Sequence, residues 1–155
     1  MSGDRLADLR ERWDADTLAH RPTLVSLLIG VNDTWRRYDS DQHSPVDTWE
    51  HEYHLLLTRL HAHCGPRLVL IEPFLVPVTA AQWNWRDDLD PRIQAVRRLA
   101  AAHDAQLLAA DGLLNQAARA MGDPALIAAD GVHPTPLGHR LLADAWLALL
   151  GEAVG

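Results

Sequence analysis

The chain has 155 residues, of which 48% are hydrophobic and 23% charged, a composition that suits one folded domain with its own core. Fourteen Lys and Arg against twenty-one Asp and Glu give a net charge of -7, so no nucleic-acid partner is expected. The single cysteine, Cys64, excludes an internal disulfide framework. No apolar run approaches the roughly 18 residues of a membrane span, and Met1–Arg5 carries no signal-peptide core. We therefore expect no membrane partner and a cytoplasmic location.

The first part of the chain alternates an amphipathic segment with an apolar run. Apolar residues at helical spacing predict a helix over Arg5–Leu18 with Asp4 as its N-cap. Leu24–Ile29 is a continuous apolar run of strand length, which is typical of a buried parallel strand. The polar stretch Thr34–Ser44 is expected to be a loop.

The middle of the chain repeats this alternation. A second helix is expected to begin after the N-cap Ser44 and to end before Gly65. Leu68–Ile71 is the next buried strand, and Pro73–Asp88 is a long irregular segment. The apolar stripe of the second helix consists of Trp49, Tyr53, Leu56, Leu57 and Leu60.

The last part predicts three helices and one strand. A third helix opens at Asp90, Gln106–Ala109 is a short strand, Leu113–Met121 is helical, and Thr135 caps the last helix. The predicted buried face of that last helix consists of Leu141, Leu142, Ala145, Trp146 and Leu149. Strands that alternate with helices, without hairpin signals, indicate an α/β fold with a parallel sheet. Ligands of such sheets bind beyond the carboxyl ends of the strands.

Two short segments offer donors to an anion. Gly30–Asp33 directly follows the first strand, where the side-chain amide of Asn32 can stabilise an oxyanion. Gly3 opens the first helix, where its backbone N–H can do the same. Each segment also has an ordinary interpretation, because Gly, Asn and Asp are common where a chain leaves a strand or enters a helix.

Asp130 and His133 lie just before the last helix, three positions apart. A carboxylate so placed can accept the Nδ1–H of the ring and leave Nε2 free as a general base. A helix-entry loop with a satisfied histidine is the alternative. His51 and His54 lie one turn apart on the second helix, but their spacing is not that of the zinc-protease motif, so a solvated helix face is expected and no metal site.

Taken together, these segments resemble the SGNH (GDSL-type) hydrolases, whose sequences have Ser-Gly-Asp at a helix start, Gly-x-Asn-Asp after the next strand, and Asp-x-x-His-Pro before the last helix. The resemblance covers residues 1–155 as a single domain. The stretches SLLIGVNDTWRRYD, IEPFLVP and DGVHPTPLGHRLLADAW are similar to the branch that contains bacterial acetylxylan esterases and other carbohydrate O-acetyl esterases.

The resemblance implies a three-layer α/β/α fold with a parallel, flavodoxin-like sheet. It also implies serine-dependent hydrolysis of a small acyl ester or an acetylated sugar, without metal or organic cofactor. Gly3 and Asn32 would be the oxyanion-hole donors, His133 the general base and Asp130 the residue that orients it. Four residues of the expected loops are candidate sugar contacts, with loop packing as the equal alternative: Trp35, Arg36, Trp83 and Trp85.

The nucleophile of this family is the serine of a Gly-Asp-Ser segment at the end of a first strand. The sequence contains no such segment, and Ser2, Ser26, Ser40 and Ser44 do not match it. We therefore expect a truncated member that lacks at least ~30 residues, lacks the first strand, and is inactive alone. A non-catalytic module of the same fold, with a sugar-binding cleft, is the alternative.

The expected loss of the first strand has a structural consequence. Leu24–Ile29 would become an edge of the sheet, through which a homo-oligomer could form. Leu9 and Trp13 on the first helix would be left half exposed.

Overall fold

A computed structural model describes residues 3–152. Its strands are β1 (Leu24–Leu28), β2 (Arg67–Ile71) and β3 (Gln106–Leu108). Its α-helices are α1 (Leu6–Asp16), α2 (Val31–Asp39), α3 (Val46–Cys64), α4 (Arg86–Ala102), α5 (Ala110–Met121) and α6 (Pro136–Glu152). Short 3-10 helices cover Leu18–His20, Ala80–Trp85 and Pro124–Leu126. None of the helices in this part of the chain is both long and apolar enough to cross a membrane.

The three strands form a parallel sheet in the order β1-β2-β3. Leu27 of β1 lies opposite Leu70 of β2, and Ile71 of β2 lies opposite Leu108 of β3. The predicted α/β fold is therefore confirmed, and each strand lies within one residue of its predicted bounds. Helices connect β1 to β2 and β2 to β3, as parallel pairing requires. The carboxyl ends of the three strands therefore lie at the same edge of the sheet.

Helices lie on both faces of the sheet. Leu68 and Leu70 point into a core that they share with α1, α3 and α4, where the predicted stripe of α3 is buried. Ile71 and Leu108 point the other way, into a second core with α5 and α6. Side chains alternate between the faces of a strand, so one apolar run serves both cores.

Two segments that the sequence suggested were loops are helical. Val31–Asp39 forms α2 because Gly30, with φ of 125°, turns the chain sharply at the end of β1. Asp33 and Thr34 are the buried residues of α2, so a polar interior face hides its helical periodicity. Helix α4 begins at Arg86 rather than Asp90, because the 3-10 helix Ala80–Trp85 runs directly into it without a capping residue.

Helix starts elsewhere differ by a few residues. Pro45, not Ser44, is the N-cap of α3, and the Ser44 carbonyl instead accepts a hydrogen bond from Arg92. Helix α5 begins at Ala110 rather than Leu113. The predicted cap of α6 is present, since the Thr135 hydroxyl accepts the N–H of Gly138 at 3.2 Å.

The sheet is incompletely covered on the face that packs against α6, not on the α1 face where exposure was expected. Leu9 and Trp13 are buried, so their predicted exposure is wrong, because α1 packs closely against α3. The predicted buried face of α6 is only half buried. Ser26 and Leu28 of β1 are exposed on the α6 side, where Trp146 Nε1 donates to Ser26 Oγ at 2.7 Å. In the part of the chain that the structure describes, β1 is an edge strand with an incompletely covered face.

We expect this edge to drive self-association, because a row of unpaired backbone N–H and C=O groups beside exposed apolar side chains favours strand pairing. Leu28→Lys, at 42% exposure on β1, should shift the chain to monomer. Leu55→Lys, at 47% exposure on α3, is the matched control and should not. Light scattering after size exclusion measures both. A wild-type chain that is already monomeric at every concentration would contradict the prediction.

Candidate active site

A small cleft of about 150 Å³ opens at the carboxyl end of β1. Its walls come from three separate parts of the chain: the segment before α1, the end of β1 with the start of α2, and the loop before α6. Gly3, Asn32 and His133 all line it. Asp130 is hydrogen-bonded to His133, so the structure brings the four predicted catalytic residues together at the expected edge of the sheet.

Two hydrogen bonds join His133 to Asp130, and Val132 adds a third to the same carboxylate. The ring Nδ1 of His133 lies 2.7 Å from Asp130 Oδ2, and the backbone N–H groups of Val132 and His133 donate to Asp130 Oδ1. Burial acts to raise the pKa of Asp130, but these bonds outweigh it and hold the pKa below its usual range. An ionised carboxylate accepts the Nδ1–H of the neutral ring, so Nε2 keeps its lone pair for a proton.

The loop that carries this pair is fixed through its main chain. The N–H of Val76 donates to the Gly131 carbonyl at 2.9 Å, and an isolated antiparallel bridge joins Ala128 to Pro134 at the base of the loop. Gln82 Nε2 donates to the Asp130 carbonyl at 2.7 Å. A Cβ at Gly131, where φ is 91°, would lie 2.7 Å from that same nitrogen. The loop therefore requires glycine here.

The opposite wall of the cleft supplies the amide donors. Asn32 is the second residue of α2, and its Nδ2 donates one hydrogen to the Asp4 carbonyl at 3.0 Å. A primary amide has a second hydrogen, which remains for a ligand in the cleft. Gly3 has φ of 88°, and a Cβ built there would meet nothing within 4 Å.

A buried carboxylate holds this wall in place. Asp33 is 3% exposed, and its Oδ2 accepts the N–H of Leu6 at 3.2 Å, at the first turn of α1. Burial raises the pKa of Asp33, while the charge of Arg92 and the Leu6 N–H act in the opposite direction. The sequence-based choice of Asp4 as the N-cap of α1 is wrong. Arg5 is the N-cap residue, and the Asp4 carboxylate binds Arg12 at 2.6 Å.

Aromatic rings extend from the cleft along one side. The Trp35 ring meets the His133 ring edge-on, with centroids 5.8 Å apart, and Trp85 follows at 5.9 Å from Trp35. Tyr38 stacks on Trp85 at 5.6 Å. We call Trp35, Trp85 and Tyr38 the aromatic row.

The other two candidate sugar contacts lie elsewhere. Arg36 forms an ion pair with Asp39 at 2.7 Å on the surface of α2. Trp83, 60% exposed, lines a different groove with Pro77 and Arg119. The structure thus brings Trp35 and Trp85 towards His133 and separates Arg36 and Trp83 from it.

No serine among residues 3–152 lines the cleft. Ser26 lies on β1 under Trp146, Ser40 bonds to Asp39, and Ser44 precedes α3. Ser2 lies outside the described residues.

One histidine of α3 pairs with a residue outside that helix. His54 Nδ1 lies 2.9 Å from Nε2 of His103, the C-cap residue of α4. The described residues contain no group of three or more His, Cys, Asp or Glu side chains that could hold a metal ion.

A histidine–aspartate pair that faces amide donors across a cleft at the sheet edge is an arrangement typical of hydrolases that act on acyl groups. The sequence matches the GDSL-like Lipase/Acylhydrolase family over residues 1–141. The chain belongs to this family.

Two relatives define the similarity further. The chain is 30% identical over 154 residues to an acetylxylan esterase from Geobacillus stearothermophilus, covering 97% of this chain and 69% of that protein. The crystal structure of that enzyme has a TM-score of 0.86 to this chain at 30% identity, with the same coverage. The structure of a GDSL-like lipase from Parabacteroides merdae gives 0.89 at 31% identity, covering 97% of this chain and 70% of that one. Catalytic mutants of the Geobacillus enzyme replace a serine, an aspartate, or a histidine three positions after that aspartate.

Two supporting residues were not found from the sequence. Asp33 was grouped with the Gly-Val-Asn-Asp turn, and nothing local indicated that it bonds to an N–H 27 positions away. Gln82 does have a local signal, since Thr79-x-x-Gln82 is a capping box, but that signal predicts only a helix start.

We expect Asp33→Ala to lower the free energy of unfolding by about 2 kcal/mol, because it removes the acceptor for a buried helix N-terminus. Asp39→Ala, an exposed carboxylate at the end of α2, is the matched control and should change little. Urea unfolding followed by circular dichroism gives both values. Equal midpoints for the two variants would show that Asp33 does not hold α1.

Proposed function

We propose that this protein is a serine ester hydrolase that removes acetyl groups from carbohydrate. The observation that carries the proposal is the cleft in which the His133–Asp130 pair faces the amide donors of Asn32 and Gly3. We expect the carbonyl group of an ester bound in this cleft to lie between those donors and His133, all of which line it. This is the geometry that acyl transfer needs.

The reaction follows from these positions. His133 Nε2 takes the proton of the attacking hydroxyl, and Asp130 stabilises the imidazolium that forms. The free Nδ2–H of Asn32 and the N–H of Gly3 stabilise the oxyanion of the tetrahedral intermediate. The intermediate collapses when His133 gives its proton to the leaving alcohol. Water then attacks the acyl-enzyme by the same route, with His133 again as the base.

We propose further that the nucleophilic serine is not among residues 3–152 and that this chain alone is nearly inactive. The lining of the cleft, which includes no serine among these residues, supports this. So does the Geobacillus relative, of which 69% is covered by this chain and which has a catalytic serine.

An acetyl ester of a sugar is the substrate that the site favours. The part of the cleft that residues 3–152 line is small, about 150 Å³, which suits a short acyl group better than a long one. The aromatic row beside His133 offers partly exposed rings against which a sugar ring can pack. The similarity to an acetylxylan esterase supports the same class of substrate. A cytoplasmic location stays a prediction.

The chain alone should hydrolyse 4-nitrophenyl acetate close to the buffer rate, because the acyl-enzyme route needs a nucleophile. The product of the same gene with its upstream in-frame codons should be faster by a factor of about 10³ or more. Ser2→Ala should change neither rate. Turnover by the chain alone that Ser2→Ala abolishes would identify Ser2 as the nucleophile. An inactive longer product that still binds acetylated xylo-oligosaccharide would instead support a non-catalytic sugar-binding module.

In the active form, Trp85→Ala should raise KM for acetylated xylo-oligosaccharide several-fold and leave KM for 4-nitrophenyl acetate unchanged, because only the sugar reaches the aromatic row. Trp83→Ala is the matched control, since Trp83 lines a different groove. Initial rates on both substrates and on a long-chain 4-nitrophenyl ester complete the test. Preference for the long-chain ester would refute the carbohydrate assignment.

A further inference from the structure

The side-chain amide of Gln82 is buried between the segment after β2 and the loop before α6. It is 8% exposed, and both ends of the amide are used. Oε1 accepts the N–H groups of Val78 at 2.8 Å and Thr79 at 3.2 Å, and Nε2 donates to the Asp130 carbonyl at 2.7 Å. Because two N–H donors face one end, that end must be the oxygen, and the nitrogen must face Asp130.

The geometry of Asp130 and His133 depends on hydrogen bonds more than on burial. Their side chains are 47% and 57% exposed, so packing does not fix their rotamers. An exposed pair of this kind contributes little by itself, since solvent competes and two side chains lose conformational freedom. Its geometry must come from the main chain of the loop. Of the contacts to that main chain, the one from Gln82 is made at Asp130 itself.

Gln82 also sets the shape of the loop sterically. It lies against Gly131, where a Cβ would meet the amide at 2.7 Å and where φ is 91°. The loop thus passes over the Gln82 amide with its main chain in contact. The Gly131 carbonyl, on the next peptide, accepts the N–H of Val76. Two consecutive carbonyls of the loop are therefore fixed by the same segment.

We propose that Gln82 is a positioning residue for the acid–base pair: its Nε2–H holds the Asp130 main chain so that the carboxylate meets His133 Nδ1. This inference rests on the proposed hydrolase function only in one respect: that function makes Asp130 and His133 an acid–base pair. Gln82 touches neither cleft nor substrate, and it acts through Asp130. Without the Gln82 contact, we expect the Asp130 main chain to shift and the His133 ring to rotate with it.

A purely local role is the competing explanation. Gln82 also forms the capping box with Thr79 and could serve only the turn before Ala80–Trp85. The two roles use opposite ends of the amide. Gln82→Glu keeps an acceptor for the N–H groups of Val78 and Thr79 but replaces the donor to Asp130 with a second acceptor. Gln82→Met keeps the length of the side chain, carries no charge, and removes both functions.

The test uses this chain as it is and does not require turnover. Proton NMR at low temperature detects the Nδ1–H of His133 as a far-downfield signal when it is bonded to Asp130, and Asp130→Ala provides the reference without that bond. We expect Gln82→Glu and Gln82→Met both to lose or strongly broaden this signal. The titration of the Asp130 carboxyl in Gln82→Met should also move towards the usual pKa. Gln94→Glu, the same charge change at an exposed position of α4, should keep the wild-type signal.

The backbone amide spectrum of each variant shows whether the fold is retained. If Gln82→Met does not fold, Gln82→Glu, which preserves the capping box, decides alone. A wild-type signal in Gln82→Glu would overturn the proposal and leave Gln82 a local turn residue. Because the signal reports the pair and not catalysis, this outcome is separate from failure of the hydrolase assignment, which only the ester assays measure.

Discussion

The buried carboxylate of Asp33 joins the start of α1 to the end of β1, and the candidate active site depends on this connection. It accepts the N–H of Leu6, while the neighbouring Asn32 donates to the carbonyl of Asp4. A buried carboxyl group needs hydrogen-bond partners, so losing the bond to the Leu6 N–H is costly. Gly3, just before these residues, lines the same cleft as Asn32. This wall of the cleft is thus held by two hydrogen bonds, one of them to a buried carboxyl group.

The acid–base side of the cleft is built on a different principle. Asp130 and His133 are three positions apart and largely exposed, and they obtain their geometry from main-chain contacts of the loop. The aromatic row begins where the Trp35 ring meets His133. The wall that contains Asn32 is therefore positioned by a buried carboxyl group, and the wall that contains His133 by hydrogen bonds to the main chain. The two walls meet because β1 ends where the loop before α6 passes.

Much of this arrangement could be predicted from the sequence, and the reasons are local. Apolar runs marked all three strands, and the spacing from Asp130 to His133 is short enough to read as a pair. Helix α2 could not be recognised, because its buried residues, Asp33 and Thr34, are polar. The contacts of Asp33 with Leu6 and of Gln82 with Asp130 span 27 and 48 positions, and no periodicity encodes a single long-range hydrogen bond. Asp33 and Gln82 could therefore not be identified as supporting residues from the sequence, whereas Asn32, Asp130 and His133 could be identified as site residues.

The incompletely covered face of β1 and α6 also has a thermal consequence. The heat capacity of unfolding grows with the apolar area that becomes hydrated, and here part of that area, around Leu28 and Trp146, is in contact with water before unfolding begins. Residues 3–152 should thus have a smaller heat capacity increment per residue than a fully covered α/β domain. A smaller increment flattens the curve of stability against temperature. Cooling this chain would then weaken it less than it weakens a domain whose sheet is enclosed on both faces.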